Sequence, residues 1–405
     1  MQTLSKTSVN IAVVGCGYVA DLYGKTLRGH PNLKLIGAYD RNASNLATFC
    51  RRWPARAYAN LAELATDPSI ELVLNLTSPR SHQEITQSCL EAGKHVYSEK
   101  PLAMTYSAAQ ELVALAKRRN LYLASAPCSL LGETAQTIWR ALNEGAIGTV
   151  RLVYGNFDDG MVTHKGEPNL WPNEAGIPMP VKDELEVGCT YEHAGYLLTW
   201  LAAFFGPARS VTSFASCQIP DKGIQVEKIA PDFSVGSIEY DNGVVARVSC
   251  SILAPTNKSL TIIGENGVLE VANVRHDDSP VYFRPILATG RRAGVERRLN
   301  LLREWLEGRM TWVLWSGHEW HFREKIPFAR KPSKLFASAA KRVDFCLGPS
   351  ELAAAIRENR PCRLSAELGL HITELIETIQ YPERFDRRRQ IESTFDPIEP
   401  LPIDN

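Results

Sequence analysis

The chain has no excess of charge of either sign: 45 Lys and Arg stand against 45 Asp and Glu in 405 residues. A net charge of zero gives the chain as a whole no electrostatic footprint for nucleic acid. Paired cysteine spacings are missing too, since nine cysteines are scattered without a C-x-x-C. That scatter excludes a disulfide framework or a zinc site of cysteines and reads as reduced, packed thiols in a cytosolic protein. No apolar run approaches the ~18 residues that span a bilayer. The start, MQTLSKTSVN, has no basic region followed by an apolar one. No secretory signal is read there, and a cytoplasmic location is expected. Repeats and low-complexity tracts are absent. What is present is 44% hydrophobic and 22% charged, the composition of a soluble globular protein. The length exceeds one ordinary core, so two domains are expected.

One stretch organises the rest. Ile11 to Val14 is an apolar run too short for a helix, and it turns directly into Gly15-Cys16-Gly17-Tyr18-Val19-Ala20. In a strand–turn–helix of this kind Gly15 permits the turn and Gly17 lets a pyrophosphate approach the backbone. Small Ala20 lets the helix pack on the strand. The helix start offers free N–H groups and a positive dipole end to an anion. A second strand, Leu33 to Tyr39, ends in Asp40, where a carboxylate would accept ribose hydroxyls. Together these point to a nicotinamide dinucleotide. Asp40 favours NAD, and Arg41 beside it leaves NADP open.

From residue 9 to about 128, short apolar strands alternate with helical patterns, which predicts a doubly wound parallel sheet. Strands are expected at Val9–Gly15, Leu33–Asp40, Glu71–Thr77, His95–Ser98 and Leu121–Ser125. Helices are expected at Val19–Arg28, Ala43–Arg52, Ser81–Ala92 and Tyr106–Arg119, with Gly93 and Asn120 as C-terminal caps. Ligands sit at the carboxyl ends of such strands, which selects Asp40, Thr77-Ser78-Pro79, Glu99-Lys100-Pro101 and Ala126-Pro127-Cys128. The texture changes after a helix at Glu133–Asn143. A strand at Thr149–Phe157 leads into a Gly-, Pro- and acid-rich loop, 158–187, expected to lie over a site. Beyond a helix at Tyr191–Phe205 come two hairpins, Phe233–Tyr240 with Val244–Leu253 and Leu260–Gly264 with Val268–Val271. They predict an α+β domain with a mainly antiparallel sheet, followed by helices at Ser350–Glu358 and Ala366–Gln380 and a loosely held polar tail.

Two places could do chemistry. Pro101 restricts Lys100 to an extended conformation, so the lysine projects from the strand end towards the nicotinamide. There it would hydrogen-bond a substrate hydroxyl or assist its proton transfer. In Glu186-Val187-Gly188-Cys189-Thr190-Tyr191-Glu192-His193, Thr190 reads as the N-cap of a helix with its apolar face at Ala194, Leu197, Leu198 and Leu201. His193 flanks that face in the first turn, where a helix start favours the neutral, proton-accepting imidazole. Tyr191 and Glu192 read as capping and solvent-facing groups.

The glycine loop, Thr77-Ser78-Pro79 with His82, and Glu99-Lys100-Pro101 together resemble the glucose–fructose oxidoreductase / inositol dehydrogenase / MocA family. The Glu-Lys-Pro triplet after His95–Ser98 is its most specific mark. The resemblance implies an N-terminal Rossmann domain, residues 1–128, and a C-terminal α+β domain for substrate and oligomer contacts, residues 129–405. It further implies NAD(P)-dependent hydride transfer at a hydroxyl or keto carbon of a sugar, sugar derivative or cyclitol, in a homo-oligomer. Gly15, Gly17, Tyr18, Val19, Asp40, Arg41, Thr77, Ser78, His82, Glu99 and Lys100 are the expected cofactor contacts. Lys100 and His193 are the expected catalytic pair, and Trp171, Glu186 and Thr190 join them at the substrate; no metal is expected. Members usually carry D-x-G-x-H-x-x-D at the pocket helix. In the simplest register Glu186, Gly188, Thr190 and His193 fill its four places here, so a threonine replaces the usual histidine. Either His193 has taken over, or the chain is an inactive dinucleotide-binding regulator or scaffold.

Residues 291 to 341 hold twelve Lys and Arg against five Glu, with Trp305, Trp312, Trp315 and Trp320 interleaved. Leu302, Trp305, Leu306, Met310 and Val313 keep helical spacing. The segment could cover the sheet, contact another subunit or lie on an anionic membrane surface, in descending order of expectation. Nucleic acid ranks lower still, because no recognised module accompanies the basic residues.

Overall fold

The computed structural model describes residues 8–160, 172–286, 294–295, 297–299, 301–302, 323–330, 342–386 and 388–402. Its first sheet is fully parallel, ordered Arg56–Ala57 (β3), Leu33–Tyr39 (β2), Val9–Val14 (β1), Leu72–Asn75 (β4), His95–Ser98 (β5) and Leu123–Ser125 (β6). Helices cover both faces, so every residue of β4 is buried, and every residue of β1 except Asn10. Strand order reverses between β1 and β4, which opens a crevice at their carboxyl ends.

The helices of this half are Tyr18–Leu27 (α1), Ala43–Arg52 (α2), Leu61–Thr66 (α3), His82–Glu91 (α4) and Tyr106–Arg119 (α5). Short polar side chains start three of them. Asn42 accepts from Ser44 N and Asn45 N, Asn60 from Glu63 N, and Thr105 from Ala108 N. Asn120 ends α5 in the left-handed region at φ 52°, as its capping role requires. The expected strands and helices are present, and β3 and α3 are additions. Two exposed residues and a six-residue helix carry too little periodicity to be read from sequence.

The second sheet has nine strands, here given in spatial order. They are Glu324–Ile326 (β14), Val281–Pro285 (β13), Gly267–Val271 (β12), Leu260–Gly264 (β11), Val150–Asp158 (β7), Val245–Ser251 (β10), Phe233–Tyr240 (β9), Ala208–Ser216 (β8) and Arg389–Gln390 (β15). Among the described residues only the strand pair β7–β10 is parallel. Both expected hairpins are there. On one face lies Cys189–Phe205 (α8), whose Cys189, Ala194, Leu197, Leu198, Trp200 and Leu201 are all buried. Apolar on several sides, it is enclosed between the sheet and the helix Ala366–Gln380 (α10). Within the loop expected over 158–187 the structure has a helix, Val181–Val187 (α7). Trp171 lies outside the described residues, as do the four tryptophans and most of the amphipathic pattern of 291–341. The described part of that segment contributes β14.

One other expectation is corrected. The tail is not loose: Glu374 of α10 accepts from Ser393 N and Oγ, Phe395 is buried, and Leu401 N donates to Gln136 Oε1 at 2.8 Å. A helix of the second half also reaches back to the first sheet. The helix Leu347–Glu358 (α9) packs against β2, β5 and β6 of the first sheet, and Gly348 is pressed against the Tyr97 ring. The composition of α9 marks it as helical and apolar, but says nothing of which sheet it joins.

Candidate active site

The glycine loop leaves β1 at the crevice. Gly15 has φ 91°, and a Cβ there would lie 2.7 Å from the Leu76 carbonyl carbon and oxygen. Only glycine fits. At Gly17, the N-cap of α1, an added Cβ would meet nothing within 4 Å. The loop is therefore closed on the protein side at Gly15 and open towards a ligand at Gly17, the form a pyrophosphate needs. Asp40 stands beside it, but its carboxylate also braces the backbone: Oδ2 accepts from Cys16 N and Oδ1 from Asn42 N, each at 2.7 Å. Arg41 is exposed.

The neighbouring strand ends are tied together by buried polar groups. Asn75 Oδ1 accepts from Thr77 Oγ1 at 2.6 Å, and its Nδ2 donates to His82 O and Thr86 Oγ1. His82 is fully buried, its ring nitrogens 2.7 Å from Pro101 O and 3.0 Å from Thr77 O. It staples the Thr77 loop to the Lys100–Pro101 turn. Glu99 is likewise occupied, accepting from Tyr23 OH at 2.7 Å and from Lys100 N at 3.0 Å. These are supports for the crevice, and Thr77 and Ser78 are its half-exposed rim.

Lys100 projects from the end of β5 as its sequence context requires. Its Nζ forms a very short ion pair with Glu192, both side chains largely buried. Burial opposes the ammonium, but Glu192, then Tyr196 and Glu99, outweigh it and hold the Lys100 pKa above its ordinary value. Glu192 is thus not solvent-facing, and the reading from helix position alone missed it. Tyr191 is buried, with its hydroxyl donating to Met104 O at 2.7 Å.

His193 lies one residue on. Its ring stacks on Phe157 of β7 with centroids 4.8 Å apart, and Phe157 stacks in turn on Tyr196 at 5.1 Å. Burial pushes the imidazole below the ordinary histidine value, only partly offset by Asp159, so it is neutral near pH 7. Nε2 faces Asp159 Oδ2 at 3.6 Å and Glu184 Oε1 at 3.7 Å. Those three side chains bring ligand-type atoms within 4.8 Å of one another, and they are the described group that could hold a metal. Lys258 already forms a short ion pair with Asp159 and competes for that place.

Thr190 and Glu186 stand elsewhere. Thr190 is inside the helix, buried, donating from Oγ1 to Ser234 Oγ at 2.8 Å. The start of α8 is capped from a distance: Gln380 Oε1 accepts from Thr190 N and Tyr191 N while its amide Nε2 donates to Val187 O. Glu186 is a latch between domains, accepting from Arg80 at 3.0 Å and from Glu227 N at 2.7 Å. The segment after the undescribed residues reaches the cofactor loop, as Asn173 Nδ2 donates to Tyr18 O and Glu174 pairs with Lys25.

Comparison with known proteins agrees with this geometry. Residues 9–126 match the model for an oxidoreductase family with an NAD-binding Rossmann fold, and residues 135–270 match the GFO/IDH/MocA C-terminal domain. The chain belongs to the GFO/IDH/MocA oxidoreductases. An uncharacterized oxidoreductase of Synechocystis is 25% identical over 77% of this chain and 86% of its own. Trans-1,2-dihydrobenzene-1,2-diol dehydrogenase of Xenopus tropicalis is 27% identical over 53% of this chain and 60% of its own, so the match spans about three-fifths of that relative. An NAD binding oxidoreductase from Klebsiella pneumoniae superposes with TM-score 0.72 at 18% identity, covering 96% of this chain and all of that one. The WlbA dehydrogenase from Bordetella pertussis, solved with NADH and UDP-GlcNAcA, gives 0.66 at 17%, covering 99% and 100%. The chain is accordingly an oxidoreductase that uses NAD(P). Among the described residues no helix is long and apolar enough to cross a membrane.

Proposed function

We propose that this family member transfers a hydride between NAD(P) and a hydroxyl or keto carbon of a sugar, sugar derivative or cyclitol. The observation that carries the reading is the placing of two largely buried side chains, Lys100 at the end of β5 paired with Glu192, and His193 next to Glu192 on α8. Glu192 keeps Lys100 an ammonium, while burial keeps His193 a neutral imidazole. NAD(P) supplies the hydride acceptor or donor, held by the Gly15–Ala20 loop with Tyr18, Val19, Asp40, Arg41, Thr77 and Ser78. Lys100 donates a hydrogen bond to the substrate oxygen, and His193 takes the hydroxyl proton in oxidation or returns it in reduction. Lys258 and His193 together balance Asp159 as the imidazole gains charge.

Moving the family motif three residues along the chain places its histidine on His193, with Cys189, Tyr191 and Tyr196 at the other three positions. This register suits the geometry, because Thr190 is bonded to Ser234 of the sheet while His193 follows Glu192, the partner of Lys100, and faces Asp159 and Glu184. It removes the threonine that favoured a catalytically inactive regulator. The relatives' names support a hydroxyl-bearing substrate: one is a trans-1,2-dihydrobenzene-1,2-diol dehydrogenase, and a structural neighbour was solved with UDP-GlcNAcA. We also propose residues 1–128 as the dinucleotide unit and 129–405 as the substrate and subunit-contact unit, in a cytoplasmic homo-oligomer. The decisive experiment is a screen of sugars, sugar nucleotides and cyclitols for a change in nicotinamide absorbance. Turnover of one class supports the reading, and tight cofactor binding without any turnover replaces it with the regulator.

A further inference from the structure

Beyond the Lys100–Glu192 pair, the stacked rings of His193, Phe157 and Tyr196 carry two more cations. Lys258 Nζ lies 5.0 Å from the Phe157 centroid and the Arg275 guanidinium 5.7 Å from that of Tyr196. Both are rigidly mounted. Lys258 and Asn273 form a β-bridge, Val274 N donates to Lys258 O at 2.8 Å, and Asn273 Oδ1 accepts from Arg275 N at 2.9 Å. The turn is fastened from behind by Thr134 Oγ1, which donates to His276 O. A guanidinium is thus fixed at the ring stack on a backbone that cannot easily move away.

The cations differ in how they are neutralised. Lys100 is paired with Glu192, Lys258 with Asp159, and Arg80 with Glu186. Among the described residues no carboxylate lies within ion-pairing distance of Arg275, whose guanidinium rests over the Tyr196 ring. Tyr196, Asp159, Glu184 and Tyr18 are the titratable groups that face it. It therefore stands at the ring stack, half-buried, where a ligand's negative charge would complete it.

We propose that Arg275 recognises a carboxylate on the substrate, making the preferred substrate an acidic sugar or polyol, a uronate or aldonate type of compound. This rests on the dehydrogenase reading of the same site and names its substrate class. The planar fork can take both carboxylate oxygens, fixing the distance from the acid group to the carbon that Lys100 and His193 address. A neutral sugar would leave the guanidinium in water-poor surroundings without that partner, so selectivity comes from the cost of the unmet charge as well as from the bond.

The test is calorimetric titration of the protein–NADH complex with D-glucuronate, D-galacturonate and D-gluconate, and with glucose, galactose and glucitol as neutral counterparts. At least one acid should bind more tightly than its counterpart, and less tightly as salt is raised. Arg275→Gln should weaken that acid by about 10- to 100-fold, with neutral sugars and NADH unchanged, and Arg275→Lys should recover part of the loss. Binding of neutral sugars as tightly as acids, or of no acid at all, overturns the proposal. So does an equal loss of NADH affinity in Arg275→Gln, which would assign the guanidinium to the dinucleotide diphosphate. Should Arg275→Gln not fold, the acid-to-neutral ratio of the parent decides. An acid bound through Arg275 without hydride transfer keeps this proposal and removes the catalytic roles of Lys100 and His193.

Discussion

At the cofactor end, function is built from neighbours in the sequence. Gly15, Gly17 and the start of α1 fall within a few residues, and Asp40 closes on them from the adjacent strand. At the proposed substrate end, Lys100, Phe157, Glu192, His193, Lys258 and Arg275 come from five separate parts of the chain. The first is a backbone device, and it works through φ angles and free amides. The second is a side-chain device, and it works through charge pairing and burial. Backbone devices fail when a Cβ is added. Side-chain devices fail when a charge loses its partner.

The largest effect should come from the side-chain device. Lys100→Met and His193→Ala should each lower turnover by about 10²- to 10⁴-fold and leave dinucleotide affinity nearly intact, as measured by steady-state kinetics and NADH titration. The double variant should be little worse than the poorer single one, because the two act on one proton. Parent-rate turnover by His193→Ala would leave the histidine as part of the ring stack only.

The backbone device predicts a contrast between two glycines. Gly15→Ala should destabilise the fold by about 1–3 kcal/mol, since its φ is 91° and the new Cβ meets Leu76 backbone at 2.7 Å. Gly17→Val should leave the melting temperature unchanged and still weaken NADH, because the added atoms enter space that only a ligand uses. Equal losses of stability at both positions would erase the distinction.

A third outcome concerns pH. In the oxidation direction His193 must be unprotonated. Its pKa lies below the ordinary histidine value, so kcat/KM should hold through neutrality and fall only as pH drops through that lowered value. Glu192→Gln removes the charge that raises Lys100, so the alkaline limb should move to lower pH. A pH–rate profile of parent and variant reads both signs, and an unmoved alkaline limb would detach Lys100 from the profile.

Much of this was legible in advance, and the boundary of legibility follows the same contrast. Strand–turn–helix with glycines, Asn and Thr caps, and alternating apolar runs are local signals, and they gave the first sheet nearly residue by residue. Lys100 was legible because Pro101 follows it. Glu192 was not, because helix position shows that a residue lies near a face but not that a lysine 92 positions away meets it. Thr190 was misread for a related reason: Gln380, from the last helix, does the capping that a local threonine was expected to do. His82 and Glu186 have the residue types of a binding site, yet both are spent on holding loops.

Two smaller effects sharpen the picture. NAD should bind more tightly than NADP, by about tenfold, as a carboxylate beside the ribose repels a 2′-phosphate. Asp40 is already held by two backbone amides, so Asp40→Ser should loosen the glycine loop as well as relax the preference, read by titration of both cofactors. The last concerns assembly. The apolar residues Ile238, Tyr240 and Val248 of β9 and β10 are buried, whereas Leu152, Tyr154 and Phe214 on β7 and β8 are exposed. Phe214→Glu with Tyr154→Glu should lower the mass by light scattering while leaving turnover per chain unchanged.

The packing of α9 on the first sheet has a consequence for biosynthesis. Cys346 Sγ contacts the Tyr23 carbonyl across 323 positions of chain, and His30 meets Asp344 at 2.9 Å. While the ribosome works towards α9, at roughly 5–20 residues per second, the nucleotide-binding half waits tens of seconds with part of its sheet bare. During that interval the nascent chain offers Tyr97 and its neighbours to chaperones, and the half made first is completed by a segment made nearly last.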